Sequence, residues 1–128
     1  MIDEVRAKIE PEFNRALQLR DKGNWLGAAE IFEQLDKENP DQSVILKMWG
    51  SIYFHLEDWG KALPLYERAL ALSPKSELSS LGLFHSLWNL GRKDEAFAEM
   101  NRYLSISDSK EYRQLTKEMG VELDLSTE

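Results

Sequence analysis

The sequence predicts an all-α solenoid of three stacked helix–turn–helix units closed by one further helix. Three observations lead there. First, the chain repeats itself every 34 residues: Gly50, Tyr53, Trp59, Ala62, Tyr66, Ala69 and Pro74 align backward with Ala16, Leu19, Trp25, Ala28, Phe32, Leu35 and Pro40. They align forward with Leu87, Ala96, Met100 and Tyr103. A fixed period of this length marks a stack of supersecondary units, none of which can bury its apolar face alone. Second, the apolar residues within each unit recur at helical spacing. Third, breakers fall at matching places: Gly23-Asn24, Glu57-Asp58 and Gly91-Arg92 inside the units, Asn39-Pro40-Asp41 and Ser73-Pro74 between them. At 128 residues the chain has room for three units and one extra helix.

The elements follow in order. Ile2, Val5 and Ile9 form only a weak stripe, and Pro11 fits the first turn of a helix, where its missing N–H costs nothing. Residues 1–10 therefore read as a short leading turn or a frayed extension, with the first helix over about Pro11 to Lys22. Asn24 can cap the second helix, about Trp25 to Lys37, which ends before Pro40 because proline disfavours helix at the residue before it. The second unit spans about Ser43 to Leu56 and Trp59 to Leu72. Pro64 there removes one hydrogen bond, so a slight irregularity is expected. The third unit spans about Glu77 to Leu90 and Lys93 to Ile106 and is the least regular: Phe84 replaces Ala16 and Gly50, and Lys93 replaces the tryptophans. A last helix, about Ser109 to Met119, sets Tyr112, Leu115 and Met119 against a charged face. That polar exterior suits the capping end of a solenoid. Val121 to Glu128 reads as a tail.

These residues and their spacing resemble the tetratricopeptide repeat family, over roughly residues 9–108. The resemblance implies a right-handed α-α superhelix in a single domain, 1–128, with repeats at about 9–42, 43–76 and 77–108. A capping helix at about 109–119 and a tail at 120–128 complete it. Small residues at Ala16, Gly50, Ala28, Ala62 and Ala96 would let paired helices approach, while Trp25, Trp59, Phe32 and Tyr66 would fill the spaces between units. The resemblance also implies a protein-interaction module that presents the first helix of each pair along a concave groove. The candidate groove residues are Phe13, Asn14, Leu17, Arg20 and Asp21 from the first unit, and Lys47, Met48, Ser51, Phe54 and His55 from the second. The third supplies Leu81, His85, Trp88 and Asn89. Within the family, a clamp of basic residues and asparagines grips acidic chaperone tails. The matching positions here are Glu10, Asn14, Met48, Leu78 and Gly82, of which only Asn14 agrees, so that specificity is not expected.

The net charge of −7 disfavours nucleic acid as a partner, because phosphate binding needs a clustered basic face. The charge is uneven: residues 1–42 carry ten acids against six bases, 77–128 ten against six, and 43–76 three against four. With no cysteine, disulfides and thiolate metal sites are unavailable. No run approaches a membrane span, and the first residues lack the basic start and apolar core of a secretory signal. A cytoplasmic protein with no membrane partner is the expectation. Two histidines, His55 and His85, with Asp21 nearby, fall short of the three or four ligands zinc takes, and no phosphate loop or nucleophile motif occurs. The expectation is a non-enzyme without cofactor that binds another protein or peptide. Two alternatives accompany it. One is a dedicated binder of one cognate protein, such as a secretion chaperone or an inhibitor of a basic toxin, using acids that include Glu30, Glu33, Asp36 and Glu38. The other is a self-assembling element that dimerises through Trp25 or the last helix.

Overall fold

The computed structural model describes residues 2–120 and forms seven α-helices there, with no strand among the described residues. They are α1 (Ile2–Asp21), α2 (Trp25–Glu38), α3 (Ser43–His55), α4 (Trp59–Leu72), α5 (Glu77–Asn89), α6 (Lys93–Ile106) and α7 (Lys110–Met119). Helices α1 to α6 pack each on the next in chain order, and α3 also meets α5 across the inner face. Local contacts of this kind are what a solenoid is built from. The expected tail, Val121 to Glu128, lies outside the described residues.

The turns inside the units show how one grammar is written three times. After α1, α3 and α5 the chain places Gly23, Glu57 and Gly91 at φ +83°, +56° and +80°. Each of these amides donates to a carbonyl in the preceding turn (Arg20, Phe54 and Trp88), and the next amide reaches back to Leu19, Tyr53 and Leu87. Such bonding satisfies the last carbonyls of a helix and requires a left-handed residue. Glycine takes that conformation freely, whereas Glu57 pays for its Cβ. Asn24 and Asp58 then cap α2 and α4 by accepting from the amides of Gly27 and Lys61, while Arg92 supplies no side-chain cap to α6.

The chain start departs from expectation. Residues 2–10 are neither a turn nor a frayed extension: α1 runs unbroken through Pro11. Proline there removes only the bond to the Ala7 carbonyl, and its ring lies on the exposed side. Ile9, buried in the core of the first unit, anchors the added turns. Pro64 likewise sits within a continuous α4.

The core confirms that small and large residues alternate, but it moves some of the positions. Ala16, Ala28, Ala62 and Ala96 are fully buried, and Phe32 and Tyr66 fill the space between units. Trp25 and Trp59, expected in the same role, are only half-buried: Trp25 stacks on His55 and Trp59 meets the edge of Phe54. Each tryptophan begins its helix, so one face of its ring reaches the surface. Phe84 is admitted where Ala16 and Gly50 stand because α5 has become small elsewhere, burying Ser79, Ser80, Gly82 and Ser86. The Tyr66 ring lies against two glycines. A Cβ on Gly50 would come within 3.2 Å of it, and one on Gly82 within 2.3 Å.

Two stability measurements follow. Gly82→Ala is expected to cost about 1–3 kcal/mol, because the buried ring cannot yield 1 Å or so, whereas Gly50→Ala should stay within about 1 kcal/mol of the parent, its helix propensity offsetting a small clash. Equal costs in urea titrations would contradict the wedge. Glu57→Gly should raise stability by up to about 1 kcal/mol, since relief of the left-handed strain exceeds the added entropy of the unfolded chain. No gain in the urea midpoint would show the strain to be absent.

Candidate functional site

Of the fourteen expected groove residues on α1, α3 and α5, none is buried, so all reach the surface. They do not form one open trough. In the middle, the Phe54 ring meets His85 edge-on at 5.8 Å and also contacts Trp59 and Tyr66, closing α3 against α5. Trp88 stacks on Phe84 at 6.0 Å, meets Phe97 edge-on and carries the Lys93 ammonium 4.8 Å above its ring. Both aromatics are therefore fastened to the core at one face and open at the other. Phe13, Leu17 and Met48 pack in the same way on the core of the first unit.

Two depressions remain on either side of this closure. One, about 420 Å³, lies between α1 and the start of α3, with Ile9, Phe13 and Val44 beside Arg6, Glu10 and Asn14. The other, about 480 Å³, lies between α5 and α7, with Leu81, His85 and Leu115 beside Lys110, Glu111 and Glu118. The contributions of Arg6, Val44 and α7 were missed by sequence reasoning. The period points to the first helices alone, and α7 reads only as a cap, although it occupies the first-helix place of a fourth unit. Lys47 does not join either depression; it lines a separate cleft with Ser76, Ser79 and the α4–α5 connection.

The polar groups of the wall mostly serve the wall. Arg20 pairs with Asp21 at 3.0 Å, Ser51 donates to the Met48 carbonyl and Asn89 to that of His85. Asp21 and His55 do not combine: Asp21 is held by Arg20, and His55 lies flat on Trp25 with ring centres 3.7 Å apart. No group of three or more metal-ligating side chains occurs among the described residues. Burial between Phe54 and Phe84 holds His85 below its ordinary value of 6.5.

A buried polar cluster unseen in the sequence ties α5, α6 and α7 together. Ser80 donates to Glu99 at 2.6 Å and shares a 2.7 Å hydrogen bond with the Tyr112 hydroxyl, while Arg102 holds Glu99 through two nitrogens and reaches the Pro74 carbonyl. Burial pushes the Tyr112 phenol up, so it stays protonated and can hydrogen-bond at any ordinary pH. The cluster is closed and fully partnered, which makes it a clasp for the last helix. Of the two surfaces expected to pair copies of the chain, Trp25 stacks one ring face on His55 and keeps the other at the surface, and α7 turns Tyr112 and Thr116 inward while Leu115 and Met119 stay half-buried.

The chain belongs to the tetratricopeptide repeat family, whose profiles match residues 53–118 and 13–77. Among curated proteins it is similar to anaphase-promoting complex subunit 3 of Schizosaccharomyces pombe, at 33% identity over 76 residues, 59% of this chain and 11% of that protein's length. Among solved structures it resembles the first TPR of Spaghetti (RPAP3) bound to an HSP90 peptide, with TM-score 0.77 and 16% identity, covering 89% of this chain and 94% of that one. The secretion chaperone SycD of Yersinia enterocolitica, in complex with a peptide of the translocator YopD, matches with TM-score 0.75 and 16% identity over 89% and 88% of the two chains. No helix of the described residues is long and apolar enough to cross a membrane.

The depressed titration of His85 has a testable sign. Between its folded value and 6.5, the unfolded chain binds more protons than the folded one, so stability should fall as pH drops below about 6.5. Denaturation at pH 7.5 and 5.5 should show this loss in the parent and a smaller loss in His85→Gln. An identical pH response in the two would rule out His85 as its source.

Proposed function

We propose that this protein is a non-catalytic interaction module that holds a helix or extended peptide of a partner protein along its concave wall. The observation that carries this reading is the pair of depressions flanking the Phe54–His85 closure, each with an apolar floor and a charged rim. A peptide lying across the wall could seat a large side chain in each, while the mixed rims select what flanks them. The family supports the reading, as do the peptides carried by the Spaghetti and SycD structures on similar folds. The occupant differs from the HSP90 peptide in kind. Of the clamp positions only Asn14 matches; Glu10 would repel a carboxylate, and Gly82 is buried under Tyr66 where no side chain could project.

Phe54 and Trp88 are poor reporters of binding, since their replacement would also loosen the core. Val44 at one depression and Glu111 at the other are exposed and outside the core clusters, and serve better. A partner captured from native lysate on the parent chain should bind Val44→Glu/Glu111→Lys about tenfold or more weakly, with helicity unchanged. Full retention of binding by that variant would remove the wall from consideration.

A further inference from the structure

The recess where α3 meets the start of α5 differs in chemistry from its neighbours along the first helices. It is a cleft of about 660 Å³ beside the α4–α5 connection, lined by Ser43, Lys47, Ser73, Lys75, Ser76 and Ser79. Pro74 and Ile106 add an apolar shoulder, and Ile106 is 45% exposed. None of the lining residues is acidic. By contrast, Glu10 rims the depression between α1 and α3, and Glu111 and Glu118 rim that between α5 and α7. Two cations without a carboxylate set this cleft apart in a chain of net charge −7.

The repeat shows that stacking does not require this chemistry. Ser43, Lys47, Lys75 and Ser79 stand 34 residues after Ile9, Phe13, Asp41 and Ile45. At the earlier junction Ile9 and Ile45 are buried in the core and Phe13 packs on it. One unit on, the three apolar positions and the acid have all become hydroxyls or cations. The fold leaves their donors unused. Ser73 donates to Ser43 and Ser76 to Ser79, each at 3.1 Å, and neither Ser43 nor Ser79 passes its own hydroxyl hydrogen to an acceptor among the described residues. Ser79 is only 1% exposed, and a buried donor without an acceptor points to a missing partner. Neither Lys47 nor Lys75 pairs with a carboxylate among the described residues. Both α3 and α5 begin at this cleft, so their positive ends add to the lysines.

We infer that this cleft binds a phosphate monoester carried beside an apolar side chain in a partner peptide, that is, a phosphorylated serine or threonine. Ammonium groups and unused hydroxyl hydrogens lining one cleft match the oxygens of an anion. Charge selects among anions. Two unpaired lysines are balanced by the charge of about −1.5 to −2 that a phosphate monoester carries near pH 7, whereas a single carboxylate leaves one of them uncompensated. The shoulder of Pro74 and Ile106 takes the apolar neighbour. That the carrier is a peptide rests on the interaction module proposed above; the affinity for phosphate rests on the cleft alone.

The test uses the whole chain and three short peptides in which a leucine stands beside a phosphoserine, a serine or a glutamate. Phenyl phosphate serves as the probe without a peptide. Amide chemical shifts read where each binds, and calorimetry reads how strongly. The phosphopeptide should move the amides of Lys47, Lys75 and Ser79 and bind about tenfold more tightly than either analogue. Lys47→Gln/Lys75→Gln should remove about that factor, while Lys22→Gln/Lys37→Gln, equal to it in net charge, should stay near the parent. Phenyl phosphate should move the same amides at lower affinity. Equal weakening by the two lysine variants, equal binding of the glutamate peptide, shifts confined to other surfaces or absence of binding would each overturn the phosphate site. If phenyl phosphate binds at the cleft and the phosphopeptide binds no more tightly than it does, the peptide carrier fails and the phosphate site stands.

Discussion

The Tyr66 ring, pressed between Gly50 on its own partner helix and Gly82 on the next unit, sets the spacing on which the rest of the structure depends. Close packing leaves no room for a methyl group at Gly82 and little at Gly50. The ring on α4 lies between α3 and α5 because α5 presents bare backbone to it and α3 nothing large. With that spacing set, Phe54 meets Tyr66 from the inner side and His85 meets Phe54. The middle of the concave wall is therefore closed, and the two depressions lie to either side of it.

The two ends of the solenoid face the problem of an unstacked unit differently. At the far end, α7 buries Tyr112 beside Phe84 and is clasped through Ser80, Glu99 and Arg102, turning a charged face outward. A buried carboxylate is tolerable there because a guanidinium and a hydroxyl satisfy it. At the near end the cleft between α1 and α2 is rimmed by Glu12, Arg15, Glu30, Gln34 and Glu38 over the buried Ile31 and Leu35. One end carries a clasped helix, the other a charged rim. Asp36, which as sequence belongs with the other acids of α2, is committed to Arg68 and so serves the stack.

Polar side chains make the same division visible along the wall. Arg20, Ser51 and Asn89 are turned to their own helices or neighbours, so the free chemistry of the wall lies at the rims of the depressions. There Arg6 and Glu10 flank one end, and Lys110, Glu111 and Glu118 flank the other. Such an arrangement favours recognition by shape and apolar contact, with charge setting orientation.

The sequence by itself determined the helices, their order and their pairing, because these rest on local rules. The 34-residue recurrence, the left-handed turn positions at Gly23, Glu57 and Gly91, and the caps Asn24 and Asp58 are all legible within a few residues of where they act. The alternation of Ala28, Ala62 and Ala96 with Phe32 and Tyr66 likewise followed from the period. Only the tertiary structure decided what lies against what. Pro11 was read as a start and became the middle of α1, because Ile9 found a core to enter. Gly82 showed no signal in its own unit, since its reason is a ring on the preceding one. Ser80, Glu99 and Tyr112 are far apart in the chain and met as a clasp. Phe54 and Trp88 looked like free aromatics until their packing faces were seen. Periodicity reports which face of a helix is apolar; which neighbour covers that face, and whether any does, is settled by contacts between units that no local pattern encodes.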